Sequence, residues 1–127
     1  MAASREFLDY VLEQMAPLGA ARARRMFGGA GIFRDGLMFA LVADDVLYLK
    51  ATPSTNADFD AEGLEPFSYA AAGGRKTVMS YRRAPARCLE DPQAMAEWCG
   101  KAWAAACEGS KKRRLKPPEQ VRRSRSR

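Results

Sequence analysis

The sequence predicts an α+β fold of two layers, an antiparallel sheet packed by helices in the order helix-β-β-β-helix-β-β-helix. Three observations predict it. Apolar residues repeat at helical spacing near both ends of the chain, at 7–18 and 95–106. Between them the period changes to that of strands, cut by Asp-Gly, Asp-Asp and Gly-Gly pairs. The links between neighbouring strands are too short for the crossovers that parallel pairing requires.

Ser4 is a suitable N-cap, and Phe7, Leu8, Val11, Leu12, Met15 and Leu18 keep one face of a helix from about Arg5 to Leu18, where Gly19 supplies a left-handed cap. From Ala23 the pattern is that of strands: a first through Met26 to Phe33, a second over Leu37 to Val42, a third over Val46 to Ala51. Asp35-Gly36 and Asp44-Asp45 form the hairpin turns. Thr52-Pro53-Ser54 breaks the third strand, and Thr55 to Glu62 reads as a short helix ended by Gly63. A second hairpin joins Phe67–Ala71 to Thr77–Arg82 around Gly73-Gly74, and Pro85 closes the sheet region. Asp91-Pro92 starts the last helix, on which Met95, Trp98, Cys99, Ala102, Trp103 and Ala106 form one continuous stripe, and Gly109 is expected to end it.

The chain of 127 residues has the length of one domain. No apolar run reaches the 18 or so residues of a membrane span, and the N-terminus lacks the apolar core of a secretory signal, so a cytoplasmic address is expected. Cys88, Cys99 and Cys107 match neither a disulfide framework nor a zinc pattern and are read as reduced thiols. The formal charge of +6 is uneven: residues 1–109 hold 12 basic and 14 acidic residues, whereas residues 110–127 hold 9 basic residues and Glu119 alone. That division sets the expected boundary, a folded domain over 1–109 and a disordered basic tail over 110–127 that is too polar to repay its own ordering.

The stretch from Arg25 to Lys50 holds a specific order of words: Met26-Phe27-Gly28-Gly29-Ala30-Gly31, then Leu47-Tyr48-Leu49-Lys50. Glu65-Pro66-Phe67-Ser68-Tyr69 follows, then Met79-Ser80-Tyr81 with Pro85, and an Ala-rich helix bearing Trp98. In this order the motifs resemble the N-terminal domain of the TfoX/Sxy family, over roughly residues 5 to 108. The resemblance implies a two-layer α+β fold and a cytoplasmic bacterial co-regulator of transcription linked to competence. It implies a protein partner in the transcription machinery, such as the cAMP receptor protein. The best-known full-length members also carry a C-terminal helical domain, which this sequence does not include. No active site comes with the resemblance, so Arg24, Arg25, Met26, Phe27, Gly28, Gly29, Gly31, Tyr48 and Lys50 enter as a fold signature and an expected interaction surface.

Read for chemistry, the sequence favours binding over catalysis. It contains no histidine, which removes His-based acid/base chemistry and His-ligated metals. Cys99 and Cys107 fall on or near the apolar stripe of an Ala-rich helix, where small buried residues are usual. Asp44-Asp45 and Asp58/Asp60 lie in a turn and a short helix without apolar surroundings. No catalytic residue, cofactor or metal ligand is assigned.

Gly28, Gly29 and Gly31 admit an alternative, an anion cradle joined by Arg24, Arg25 or Lys50 in a small-ligand protein or enzyme. Phosphate loops have a helix after the glycines, however, whereas here another strand follows. A bulge or close crossing in a twisted sheet accounts for them better. The tail residues Lys111, Lys112, Arg113, Arg114, Lys116, Arg122, Arg123, Arg125 and Arg127 suit non-specific DNA or RNA binding, and the Arg-Ser alternation leaves an RNA-associated role open. Both faces of Leu37–Val42 and Val46–Leu49 are apolar. Helices cover one, so Met38, Val42, Val46 and Tyr48, or their alternates, are expected to find another cover, a homodimer or a protein partner. Burial of three or four such side chains is worth about 5–10 kcal/mol.

Overall fold

The computed structural model describes residues 4–19, 21–26 and 28–115, the last five in backbone only. Three helices lie with one six-stranded antiparallel sheet, an α+β arrangement in the expected order. Helix α1 spans Arg5–Met15, and Ser4 caps it by accepting the Phe7 N–H at 3.1 Å. Its buried face is Leu8, Val11 and Met15, and a 3-10 turn, Ala16–Leu18, carries it to Gly19 at φ +119°. The first expected strand is divided at Gly28 (φ +74°) into β1 (Arg22–Met26) and β2 (Gly29–Arg34). Strands β3 (Leu37–Ala43) and β4 (Val46–Lys50) follow through turns in which Asp35, Asp44 and Asp45 take positive φ, the geometry that matches strand twist in two-residue hairpins. Helix α2 spans Pro53–Ala61 and leads to the hairpin of β5 (Pro66–Ala71) and β6 (Gly74–Arg83).

Helix α3 spans Pro92–Leu115 and runs through Gly109, where its end was expected. A glycine weakens a helix interior by only about 1 kcal/mol, and the Ala-rich turns before it, with a cationic last turn, sustain the helix. The basic segment assigned to a tail therefore begins inside α3. Lys111, Lys112, Arg113 and Arg114 belong to the helix, while Lys116, Arg122, Arg123, Arg125 and Arg127 lie outside the described residues.

The strand order is β1-β2-β3-β4-β6-β5, so β1 and β5 are the edges. Cross-strand rows give the two faces. Ala23, Ile32, Ala40, Leu49 and Arg82 stand opposite one another in one row and point toward the helices. Ile32, Ala40 and Leu49 are wholly buried there with Met15, Phe59, Met95 and Ala102. Phe39 meets Trp103 of α3 edge-on at 5.9 Å. The opposite face carries the row Arg24, Gly31, Leu41, Tyr48 and Arg83.

A register shift between Ile32 and Phe33 places one extra residue in β3, opposite this pair. Met38 and Val42, equal in parity, consequently fall on opposite faces: Met38 approaches Gly31 on the open side, whereas Val42 is wholly buried in the core. Of the side chains expected to lack a helical cover, Met38 and Tyr48 do and Val42 does not, because a bulge breaks the period of two on which the expectation rests. Among the described residues, no helix is long and apolar enough to cross a membrane.

Candidate functional site

Strand β6 also departs from regular pairing: Pro66 pairs with Arg82, but Phe67 pairs with Val78. The extra residues turn a corner that brings β5 over the open face. Phe67 packs on Tyr48 of β4 with centroids 5.1 Å apart. In a flat sheet two strand spacings, about 9.5 Å, would separate them. Tyr69 stacks on Phe67 at 5.8 Å and 25°, and Tyr81 donates its hydroxyl to the Met38 carbonyl at 3.4 Å. The result is a groove of about 510 Å³ lined by Met38, Leu41, Phe67, Tyr69, Val78 and Tyr81. That volume lies within the range of small-molecule sites. Tyr69, which stacks on Phe67, is 46 % exposed. Burial raises the Tyr48 phenol and pushes Tyr81 up to about 12, and both stay neutral across the physiological range.

The expected interaction surface is partly assembled here. Arg24, Gly31 and Tyr48 share one row, Lys50 stands opposite Tyr81 with its Nζ 5.2 Å from the ring centre, and Met26 closes over Gly31. Arg24 lies over Phe33 at 5.3 Å. Arg25 is in the row of Ala30, Val42 and Leu47 and so on the helical side at the sheet edge. Gly28 is the turn between β1 and β2, and Phe27 lies outside the described residues.

Gly31 is paired on both sides, with Arg24 of β1 and Leu41 of β3, and Gly29 starts the same strand opposite Met26. A Cβ at Gly29 would stand 2.2 Å from the Val42 carbonyl oxygen. Their role is close backbone approach, and a strand paired on both sides has no run of free amides with which to cradle an anion. The groove residues Phe67, Tyr69, Val78 and Tyr81 were missed as a surface. The alternation of Phe67 and Tyr69 was visible, but the corner that folds them over β4 has no local signal.

A second feature concerns charge. The six strands hold nine basic residues and not one Asp or Glu. Arg22, Arg24, Lys50, Lys76 and Arg83 fall at open-face positions, opposite Phe33, Gly31, Tyr81, Tyr69 and Tyr48. The acidic residues of the described chain lie in helices, turns and loops instead. Glu65 pairs with Arg83 at 2.9 Å, which holds its carboxyl below the usual value.

The thiols are placed for packing. Cys88 and Cys99 are buried, and burial pushes them up to about 11 and about 12. Neither supplies thiolate at neutral pH. In the native protein at pH 8 a thiol-titrating disulfide reagent should consume the half-buried Cys107 promptly and the other two only after denaturant is added; prompt reaction of all three would contradict this packing. Among the described residues no three His, Cys, Asp or Glu side chains group as metal ligands do.

Comparison with known proteins agrees with the fold. The family model of the TfoX N-terminal domain matches residues 13–106. A DNA transformation protein, TfoX1 of Aliivibrio fischeri, is 40 % identical over 52 residues, which is 41 % of this chain and 25 % of that protein. The chain thus spans about a quarter of the relative's length. With the glycine crossing, the aromatic strand pairs and the Trp98 helix all inside the matched region, the chain belongs to the TfoX N-terminal domain family.

Proposed function

We propose that this protein is a non-enzymatic, cytoplasmic interaction module in the regulation of competence, and that it works by binding through the open face of its sheet. The observation that carries the reading is the groove from Met38 to Tyr81, apolar, half exposed and without a covering element among the described residues. Apolar surface of this kind is costly to leave in water and is usual at interaction sites. Membership of the family and the named role of the relative in DNA transformation support competence as the setting. By resemblance, a protein of the transcription machinery such as the cAMP receptor protein is the candidate partner. The basic C-terminal residues add sequence-blind affinity for nucleic acid.

The reading is tested in a strain that lacks the gene and carries it back as variants. Tyr69→Asp and Arg24→Glu should fail to restore competence-gene transcripts. Arg5→Glu, on the far side of the molecule at 88 % side-chain exposure, should restore them, as should alanine in place of Arg122, Arg123, Arg125 and Arg127. The reverse pattern would locate the activity in the tail and overturn the reading.

A further inference from the structure

We propose that the open face binds single-stranded DNA, its bases stacking on Tyr69 and its phosphates running along the open-face cations. This rests on the reading that the open face is the binding surface, and it names the ligand.

Charge comes first. Five of the nine strand cations stand on this face, with Arg83 paired to Glu65, and no strand carries a carboxylate, so the face suits a polyanion. The aromatic geometry then selects among polyanions. Tyr48 meets Phe67 edge-on at 5.1 Å, Phe67 and Tyr69 stack at 5.8 Å, and this short pile ends in the half-exposed Tyr69. An unpaired base extends such a pile, whereas a base in a duplex has both faces occupied. Lys76 stands directly across from Tyr69 in the β5–β6 ladder, which puts a cation beside the ring.

The groove walls narrow the choice further. Met38, Leu41 and Val78 offer no hydrogen-bond partner, and the Tyr81 hydroxyl is engaged with Met38. A ribose 2′-hydroxyl pressed there would lose its hydration without return, and a deoxyribose would not. A bilayer is a poorer fit, because the aromatic side chains line a concavity and do not project. A second copy of the chain would set Arg22, Arg24, Lys50 and Lys76 against their own likeness, which disfavours a symmetric pair through this face.

The test is fluorescence anisotropy of a labelled 15-nucleotide oligo(dT) with the full chain, against a duplex of matched charge, oligo(U) and anionic phosphatidylglycerol vesicles as competitors. The expected order is oligo(dT) first, and the salt slope should be about −0.7 for each phosphate held. Tyr69→Ala should weaken binding about tenfold or more, the loss of one base stack, and Tyr69→Phe should restore it. Arg24→Glu and Lys76→Glu should each flatten the salt slope, and Arg5→Glu should leave it as it was.

All of these variants keep the tail, so tail binding cancels in the comparison. Equal affinity for duplex, displacement by vesicles, preference for oligo(U), or indifference to Tyr69→Ala would each overturn the proposal. So would a dimer in sedimentation that Tyr69→Ala dissociates. If open-face variants fail in the transcript assay while oligo(dT) does not bind, this inference falls and the interaction module stands; if they also succeed in that assay, both fall.

Discussion

Replacing Arg82 by methionine should cost about 3 kcal/mol of stability, a fall in Tm of roughly 10 °C for a domain of this size. The guanidinium is 3 % exposed and serves four acceptor contacts: Asn56 Oδ1 and Asp60 Oδ1 at 2.6 Å each, and the Leu64 carbonyl at 3.2 Å from Nε and 2.6 Å from the terminal nitrogen. It also lies 5.7 Å from the centre of the Phe59 ring. One side chain therefore ties β6 to α2 and to the loop that follows it. Methionine fills the space but leaves the half-buried Leu64 carbonyl and Asn56 amide without their donor, and the two losses together account for about 3 kcal/mol when an unmade bond costs about 1–3 kcal/mol. Lysine should be little better, since a point charge cannot divide itself among a fork of acceptors. Asp60 is the control. Its side chain is 66 % exposed, so Asp60→Asn exchanges one screened contact for water and should cost less than about 1 kcal/mol. Urea denaturation of the three variants decides it, and an Arg82→Met midpoint close to that of the parent would show that the network does not bear on stability.

Gly29→Ala should cost as much or more, about 3 kcal/mol, through excluded volume. The added methyl would meet the Val42 oxygen at 2.2 Å and the Val42 and Ala43 backbone at 3.3 Å, and backbone in mid-sheet has no rotamer with which to retreat. The neighbouring glycines calibrate the effect. At Gly28 the space is open and only the left-handed φ of +74° penalises alanine, by about 1–2 kcal/mol. At Gly31 the obstacles are Met38 Sδ at 2.9 Å, Phe33 Cε1 at 3.0 Å and Met26 Cε at 3.2 Å. These are mostly ends of flexible side chains that can move at small cost and would reshape the groove. The order of midpoints, Gly29→Ala lowest, separates close crossing from turn geometry as the reason for the Gly-Gly-x-Gly motif.

Much of the architecture was legible because it is local. The cap at Ser4, the stripe of Met95, Trp98, Cys99, Ala102 and Ala106, and the turns at Asp35-Gly36 and Asp44-Asp45 follow from side chains acting within a few residues of themselves. The open face was half legible. Of the residues expected there, Arg24, Tyr48 and Lys50 stand on that face and Gly31 is buried in the same row, yet the partners that make the groove, Phe67, Tyr69 and Tyr81, come from a corner in β6 fixed by tertiary packing. Arg82 was unreadable for the same reason, since an arginine beside another arginine in a strand gives no sign of which one is inside. Along the chain the first 109 residues nearly cancel in charge, but a fold sorts charge by face, and the carboxylates are absent from every strand.

The two borders of the sheet give the open face a further property. On one side β1 presents Arg22, Arg24 and Arg25 within five residues, and on the other β5 opens with Pro66, which has no amide to offer. A stranger's strand arriving at either border meets crowded cations or a missing donor, and strand-on-strand growth into fibres stops before it starts. A protein that leaves tyrosine and methionine bare on one face would otherwise be a hazard to itself at high concentration. With its borders closed to recruitment, it can stay sticky in the middle and remain dispersed.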